Sequence, residues 1–298
     1  MQSRLVRTLQ PSPWRCLSAV VWFATASQAA AQSAAPESPA TEIPSATTAI
    51  GASNASHSKE SNAAAILQEL GDDYQIQMIG MEPEFPVRTT HGMIEGRAAN
   101  EKALKTYLRW FPEEFRLYPV EAIRNSRLQR VILCAELKFA GQLRSAIPDF
   151  EHNTLYLDIE RASNSRIYQI LVFHHELFHV IDYADDYRVY EDAAWVELNE
   201  DDFRYGTGGK NAQDNPDTSV LTDRYPGFLN HYSTTGVEED KAELFANMVV
   251  RAKTVERRAE SDSVLRTKCD RMRELLHQFC PELDDQFWSA AKKLKRFR

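Results

Sequence analysis

The order of apolar and polar residues predicts both helices and strands after residue 62. Residues 98–111 carry apolar side chains at helical spacing, and Pro112 is expected to end that helix. Residues 128–143 begin apolar and then alternate, as a pair of half-buried strands would, and residues 153–159 alternate as a single strand. This mixture of elements predicts an α+β domain.

The second part of this domain reads as mainly helical. A helical pattern runs from residue 166 to about residue 182, after the run SNS at 163–165, whose residue types favour helix N-termini. Residues 201–223 contain GTGG and NPD and predict a long surface loop. Three closing helices are expected at 238–251, 255–279 and 281–297.

The N-terminal segment has the pattern of a secretory signal peptide. Three arginines precede a short apolar run at residues 16–26, and small residues follow with a cleavage site near 29–31. The apolar run is too short to span a bilayer as a helix. Residues 1–31 are therefore predicted to be a signal peptide, and the protein is expected to be secreted or periplasmic, with no membrane contact after cleavage.

The next segment, residues 32–62, is rich in Ala, Ser, Thr and Pro and holds almost no large apolar residue. It cannot bury enough surface to fold, so we predict a disordered linker before one domain at 63–298. Loss of the leader's three arginines takes the formal net charge from −8 to −11. A chain this acidic, with no basic stripe, is a poor candidate for nucleic-acid binding. The sequence leaves the oligomeric state open.

Three cysteines follow the leader, at Cys134, Cys269 and Cys280. Export permits a disulfide, and Cys269 with Cys280 is the favoured pair because a short helix-turn-helix would join them. Cys134 lies in a strand-like run, where a buried free thiol is the usual state.

The main chemical signal is the stretch LVFHHELFHVID at residues 171–182. On a helix, His175 and His179 lie one turn apart on the same face, so two imidazoles can reach one metal ion. Glu176 lies about 100° around the helix from His175, close enough to act on a metal-bound water without being a ligand. This H-E-x-x-H pattern is the metalloprotease signature, and its apolar flanks indicate a buried helix. His174 lies off the ligand face and is expected to be structural.

A zinc site of this kind needs a third protein ligand. The metzincin pattern would place it at Asp185, but the glycine which that pattern requires is Asp182 here. Asp202 is a second candidate, in DFRYG, which matches the later part of an aspzincin-like motif. The Gly-Thr expected before that motif is replaced by Leu198 and Asn199.

The third candidate is Glu243, in EEDKAELFA, 64 residues after His179. HELFHVID followed by KAELFA resembles the catalytic half of the anthrax lethal factor-like gluzincins and of secreted bacterial zinc metallopeptidases, over residues 154–250. The resemblance implies a zincin-like α+β domain with a small mixed sheet, an H-E-x-x-H active-site helix and a helical C-terminal part. It implies Zn2+ bound by His175, His179 and Glu243, with Glu176 as general base.

Other assignments around this site stay open at the level of sequence. Glu239 lies one turn before Glu243 on the same helix face, so it is the alternative ligand. The resembled families place a tyrosine shortly before the third-ligand helix to stabilise the oxyanion. Tyr232 is the nearest match, 11 residues before Glu243, and Tyr205 is the fallback. Asp182 either orients a ligand imidazole or marks the end of its helix.

The predicted function is zinc-dependent hydrolysis of peptide bonds in a peptide or protein substrate. Glu176 would take a proton from the attacking water and return it to the leaving amine, and Tyr232 would donate to the oxyanion. The same residues would serve a zinc hydrolase of a non-protein amide such as a cell-wall crosslink. The other alternative is a non-enzymatic protein with a structural zinc. It is disfavoured because no cysteine lies near either motif and because a structural site has no use for Glu176.

Overall fold

The structure, a computed structural model, describes residues 53–163, 165–206 and 218–296, with side chains from residue 62 onward. The predicted signal peptide at 1–31 lies outside the described residues. Most of the predicted linker does too, but the first helix, α1 (Ser53–Tyr74), begins within that segment. From Ala63 the same helix packs on the domain through a buried apolar stripe that includes Leu67 and Leu70.

Seven strands of the described chain form one mixed sheet. They are β1 (Gln77–Ile79), β2 (Val87–Thr89), β3 (Gly92–Ala98), β4 (Arg130–Phe139), β5 (Gln142–Leu143), β6 (Ala146–Asp149) and β7 (Thr154–Asp158). The long strand β4 is central: β1 and β3 pair with one edge, and β7 and β5 with the other. β4 and β7 run parallel, in a register that places Leu133 opposite Leu157. β6 pairs antiparallel with β7 and ends that side of the sheet.

Helices cover the sheet and form the closing half of the domain. After α1 they are α2 (Glu101–Tyr107), α3 (Phe111–Phe115), α4 (Val120–Asn125), α5 (Arg166–Asp186), α6 (Ala193–Val196), α7 (Val237–Val250), α8 (Ala252–Ser261), α9 (Ser263–Phe279) and α10 (Asp285–Lys293). α5 packs against β6 and β7 and lies beside α7. None of the described helices is long and apolar enough to cross a lipid bilayer.

Alternation along β4 divides the buried side chains between two clusters. Val131 and Leu133 belong to the main core with α5 and α7, whereas Ile132 and Cys134 belong to a smaller cluster. Successive side chains of a strand point to opposite faces, so one strand contributes to both clusters. The α+β fold with a small mixed sheet and a helical C-terminal part is therefore the fold that the sequence predicts.

Helix α5 is buried along most of its length because apolar residues occupy every side of it. All its residues from 168 to 182 are buried. Phe173 packs against Phe111 and Phe115, with ring centroids 5.2 and 5.9 Å apart. Tyr187 follows the helix in the left-handed conformation, and its N–H donates to the Tyr183 carbonyl, which terminates the helix. This packing holds the polar residues of the H-E-x-x-H motif in fixed positions.

Two helix boundaries differ from the sequence prediction. Pro112 does not end a helix: α2 ends at Tyr107, and Pro112 lies in the first turn of α3, where a missing N–H leaves no helical hydrogen bond unmade. The pattern at 255–279 comprises α8 and α9 instead of one helix. Asp262 separates them and caps α9 by accepting a hydrogen bond from the Leu265 N–H.

The predicted disulfide between Cys269 and Cys280 is wrong, since both thiols are free, as is that of Cys134. Cys269 lies within α9, and Cys280 follows the last residue of the same helix. About 16 Å of helix therefore separates them, whereas a disulfide requires Cα atoms roughly 4.4–6.8 Å apart. The chain continues as one helix where a turn was expected.

Candidate metal centre

Three buried donor side chains from two helices converge at the centre of the domain. His175 and His179 extend from α5, and Glu239 extends from the first turn of α7. His175 Nε2 lies 3.1 Å from His179 Nε2 and 3.1 Å from Glu239 Oε2. His179 Nε2 lies 3.7 Å from the same Glu239 oxygen. These three residues form a group that can hold a metal ion.

The separations between the three donor atoms fit a single tetrahedral ion. Ligand atoms about 2.0–2.1 Å from a tetrahedral zinc lie about 3.3–3.4 Å from one another. The observed separations of 3.1, 3.1 and 3.7 Å bracket that value. Two imidazoles with one carboxylate are also a donor set of catalytic zinc sites. Both spacing and chemistry therefore fit zinc.

Glu243, the ligand preferred from the sequence, lies on the other side of His175. Its Oε1 is 3.2 Å from His175 Nδ1, the ring nitrogen outside the metal group. Its Oε2 accepts a hydrogen bond of 2.7 Å from Asn230 Nδ2. The structure thus places Glu239, the alternative third ligand, next to the Nε2 atoms of His175 and His179. It places Glu243 where a carboxylate can orient the imidazole ring.

Within this cluster, the surroundings of His175 and of Glu239 stabilise the charged form of each side chain. Burial alone would lower the pKa of His175, but Glu239 and Glu243 raise that pKa to about 10. Burial alone would raise the pKa of Glu239, but His175 and His179 lower it to about 2. Positive charge is therefore favoured between these carboxylates, which is the electrostatic condition for binding a cation.

Glu176 lies beside the donor atoms without joining them. It is fully buried on α5, and its Oε2 has no hydrogen-bond partner among the described residues. Burial raises the pKa of Glu176, and the positive charges of His175 and His179 oppose that rise. A carboxylate oxygen that no other side chain occupies is available to exchange a proton with a water at the site.

Tyr232 lies against the third donor. Its hydroxyl donates a hydrogen bond of 2.8 Å to Glu239 Oε1, and its ring centroid is 6.2 Å from that of His175. Burial and the charge of Glu239 raise the pKa of Tyr232 well above its usual value, so the hydroxyl keeps its proton. The spacing from Tyr232 to Glu239 is seven residues, compared with the 11 that separate it from Glu243.

Asp240, the residue after Glu239, ties α7 to other parts of the fold. Its Oδ2 accepts hydrogen bonds from Trp195 Nε1 at 2.8 Å, Tyr205 Oη at 2.7 Å and Lys268 Nζ at 2.8 Å. The hydroxyl of Tyr205, the fallback for the oxyanion, is therefore engaged with Asp240. These contacts restrict the rotation of α7 about its own axis, and with it the direction in which Glu239 points.

Lys241 forms a second buried network between the two helices. Its Nζ donates to Asp182 Oδ1 and, at 3.0 Å, to Asp192 Oδ2. Asp182 does not mark the end of α5, which continues to Asp186. Neither Asp182 Oδ2 nor His179 Nδ1 has a hydrogen-bond partner among the described residues. Asp182 thus links α5 to α7 through Lys241 and is not hydrogen-bonded to a ligand imidazole here.

The other residues considered from the sequence lie outside the metal group. His174 is fully buried and contacts Glu114 through Nε2 at 3.0 Å and the Tyr118 hydroxyl through Nδ1 at 2.6 Å. It is a structural histidine, as expected from its helix face. Asp185 and Asp202 are exposed to solvent and are not among the metal-group residues.

Two polar residues near the site have no counterpart in the sequence analysis. Asn230 is fully buried and holds Glu243. Arg144 is buried, which lowers its pKa, and the carboxylate of Glu176 raises that pKa. No local pattern marks Arg144, because it lies between two short strands and approaches the site only through folding.

Comparison with known proteins gives limited similarity. No protein-family model matches the chain, and no curated protein sequence matches it. Among solved structures, the chain is similar to the crystal structure of a "putative zinc-binding metallo-peptidase" from Bacteroides caccae. The two share 14% sequence identity over 79% of this chain and 85% of that chain, with a TM-score of 0.40. A likeness of this degree assigns neither activity nor ligand, so function must be inferred from the site itself.

Proposed function

We propose that this protein is a zinc-dependent metallopeptidase that hydrolyses peptide bonds in a peptide or protein substrate. The observation that carries the proposal is the convergence of His175 Nε2, His179 Nε2 and Glu239 Oε2 at 3.1–3.7 Å. Glu176 and Tyr232 lie next to this group and supply a proton-transfer group and a hydrogen-bond donor. A purely structural zinc site requires neither.

The mechanism follows from the chemistry of these side chains. Zinc, when bound, lowers the pKa of a water molecule and polarises the scissile carbonyl. Glu176 takes the proton of that water and delivers it to the leaving amine, and its raised pKa suits a group that both accepts and returns a proton. Tyr232 retains its proton and donates a hydrogen bond to the developing oxyanion.

We assign the third ligand to Glu239 and give Glu243 the supporting role of orienting His175. Glu239→Ala is expected to abolish stoichiometric zinc binding because it removes a ligand atom. Glu243→Ala is expected to weaken zinc binding by about 10- to 100-fold, the usual effect of losing a carboxylate behind a ligand histidine. Metal content after dialysis, together with zinc affinity by chelator competition, measures both effects. If Glu239→Ala binds zinc normally and Glu243→Ala does not, the two roles must be exchanged.

The general-base role of Glu176 has a separate test. Glu176→Gln keeps the shape of the side chain but cannot accept the proton, so peptide cleavage should fall by about 10²- to 10⁴-fold while zinc content is unchanged. Asp202→Ala serves as the matched control, since Asp202 is exposed and lies outside the metal group. Undiminished cleavage by Glu176→Gln would exclude this mechanism.

We also propose, from the sequence of residues 1–31, that the enzyme is exported and acts outside the cytoplasm. Mass spectrometry of the protein isolated from its own cells should find a mature N-terminus close to residues 29–31. A protein that retains Met1 would contradict export by cleavage of this leader.

A further inference from the structure

Arg144 is held in a fixed position between two strands. Its backbone N–H donates to the Leu137 carbonyl at 2.8 Å. The next side chain, Ser145, is hydrogen-bonded at 2.7 Å to the Tyr168 hydroxyl, which belongs to α5 two turns before His175. The stem of Arg144 therefore starts from a rigid segment that is attached to the helix of the metal group.

The guanidinium of Arg144 is buried, and no carboxylate of the described chain matches it. Only 3% of the residue is exposed. Its Nη2 donates to the amide oxygen of Gln142 at 2.9 Å, whereas its Nη1 has no hydrogen-bond partner among the described residues. None of the described carboxylates forms a salt bridge with it. A buried cation in this state is costly, because burial removes hydration and no described carboxylate compensates its charge.

Arg296 is a buried arginine with a structural role, and its hydrogen bonds can be compared with those of Arg144. It is equally inaccessible, at 4% exposure. Its Nε and Nη2 donate to the two oxygens of Glu114 at 2.7 and 2.6 Å, and its Nη1 donates to the carbonyls of Val249 and Ala291. Every nitrogen of Arg296 is therefore used within the protein. The difference between the two arginines indicates that Arg144 pairs with a group that is not among the described residues.

The surroundings of Arg144 place that partner beside the proposed reaction centre. Burial lowers the pKa of Arg144, the carboxylate of Glu176 raises it, and the charge of Arg161 lowers it further. Strand β6, which begins two residues after Arg144, packs against α5, the helix that carries the proposed general base Glu176. A positively charged guanidinium favours a negatively charged group over a neutral one.

We propose that Arg144 is a substrate-binding residue whose guanidinium receives a carboxylate of the bound peptide next to the cleaved bond. This inference rests on the proposed peptidase function and extends it to a substrate class. A guanidinium can bind a carboxylate through parallel N–H donors, and Nη1 is a donor without a partner in the described part of the chain. The carboxylate belongs either to an acidic side chain or to the C-terminus of the peptide, and the test separates these two sources.

The test uses four synthetic peptides of one sequence that the wild-type enzyme cleaves. The residue next to the cleaved bond is Glu or Gln, and the C-terminus is a free acid or an amide. We expect the zinc-loaded wild type to prefer one carboxylate-bearing form by about 10- to 100-fold in kcat/KM. Preference for Glu over Gln identifies a side-chain carboxylate, and preference for acid over amide identifies the C-terminus.

Arg144→Gln should remove this preference, while kcat/KM for the neutral peptide changes by less than about threefold. Arg144→Lys should restore part of the preference for the carboxylate form. Arg144→Met preserves the apolar stem and replaces Arg144→Gln if the latter does not fold. Arg161→Gln is the matched control for loss of a nearby charge and should keep the preference.

An equal loss of activity on all four peptides would mean that Arg144 acts on the scissile carbonyl or on the fold, and would overturn the proposal. A wild type that shows no preference would overturn it as well.

A binding experiment keeps this inference distinct from the peptidase proposal. Fluorescence anisotropy with the same four peptides, labelled at the N-terminus, measures affinity for the zinc-free protein, where no cleavage occurs. Wild type should bind the preferred carboxylate form more tightly than its neutral match, and Arg144→Gln should bind both equally. If wild type cleaves no peptide at all, the proposed function fails, but a carboxylate-dependent binding difference that requires Arg144 would still support this site.

Discussion

The two carboxylates that flank His175 come from one face of α7, yet they meet different nitrogens of the ring. Glu239 lies at Nε2 and Glu243 at Nδ1, each about 3 Å away. Contacts at both nitrogens leave the imidazole little freedom to rotate or flip. At the scale of single residues, the site is therefore defined as much by what holds His175 as by the donor atoms themselves.

Tyr232→Phe tests the hydroxyl that lies against Glu239. The substitution keeps the buried ring, so zinc content should be unchanged, while kcat should fall by about 10²- to 10³-fold because one oxyanion donor is lost. Steady-state kinetics and metal analysis measure the two effects. Tyr205→Phe is the matched control, since its hydroxyl is bound to Asp240. Loss of kcat in Tyr205→Phe alone would transfer the role to Tyr205.

The sequence alone identifies the site residues on α5, but it does not decide between the two candidate ligands on α7. His175, Glu176 and His179 lie in one helical stretch, so their relative positions follow from helix geometry alone. Glu239 and Glu243 share one face of α7, and helix geometry gives no preference between them. The choice depends on how α7 is rotated against α5. Long-range contacts such as Asp240 with Lys268 contribute to that rotation, and no local pattern encodes them.

The strands and the closing helices also differ in whether the local sequence or a distant contact defines them. Strands β4, β5 and β7 could be predicted because each lies in an apolar or alternating run, a pattern that the local sequence contains. Strand β1, three residues long, pairs with β4 across more than fifty positions of sequence and has no comparable local signal. Asp262 acts locally as a helix cap, but a pattern of apolar residues that continues across it conceals the break.

Asp240→Asn tests how strongly α7 is fixed by its contacts. The change leaves the fully buried ammonium of Lys268 without its carboxylate, so the free energy of unfolding should fall by about 3–5 kcal/mol. Urea denaturation measures this loss. Lys292→Met is the control, because Lys292 pairs with Glu256 on the surface, where such a pair contributes at most about 1 kcal/mol. Equal losses in the two variants would show that the Asp240 network does not stabilise α7.

At the scale of the whole molecule, Arg296 connects the last described residues to the centre of the domain. It pairs with Glu114 of α3, which in turn contacts His174 on α5. Burial alone would raise the pKa of Glu114, but the hydrogen bonds from His174 and Arg296 lower it to about 2. Burial also lowers the pKa of His174, so the imidazole between Glu114 and Tyr118 is favoured in its neutral form.

This cluster predicts a particular dependence of stability on pH. The pKa of Glu114 is lower in the folded chain, at about 2, than its ordinary value of 4.5. The ionised carboxylate therefore stabilises the fold fully above about pH 4.5 and loses that contribution as the pH falls toward 2. Glu114→Gln should lower the free energy of unfolding by about 3–5 kcal/mol at pH 6. Its difference from wild type should shrink between pH 4.5 and 2. A difference that stays constant over this range in urea titrations would contradict the role of its charge.

The pairing of Glu114 with Arg296 spans 182 positions of the chain, and it has a consequence for the order of events during translation. A growing chain contains all the donor residues of the metal group once Glu239 has been added. It must still extend by more than fifty residues, on the order of 3–10 s at ordinary rates of synthesis, before Arg296 exists. Until then Glu114, which contacts His174, has no guanidinium partner. Helix α5 therefore lacks one of its supporting contacts. The residues of the metal group are therefore present in the nascent chain before the last of these supporting contacts can form.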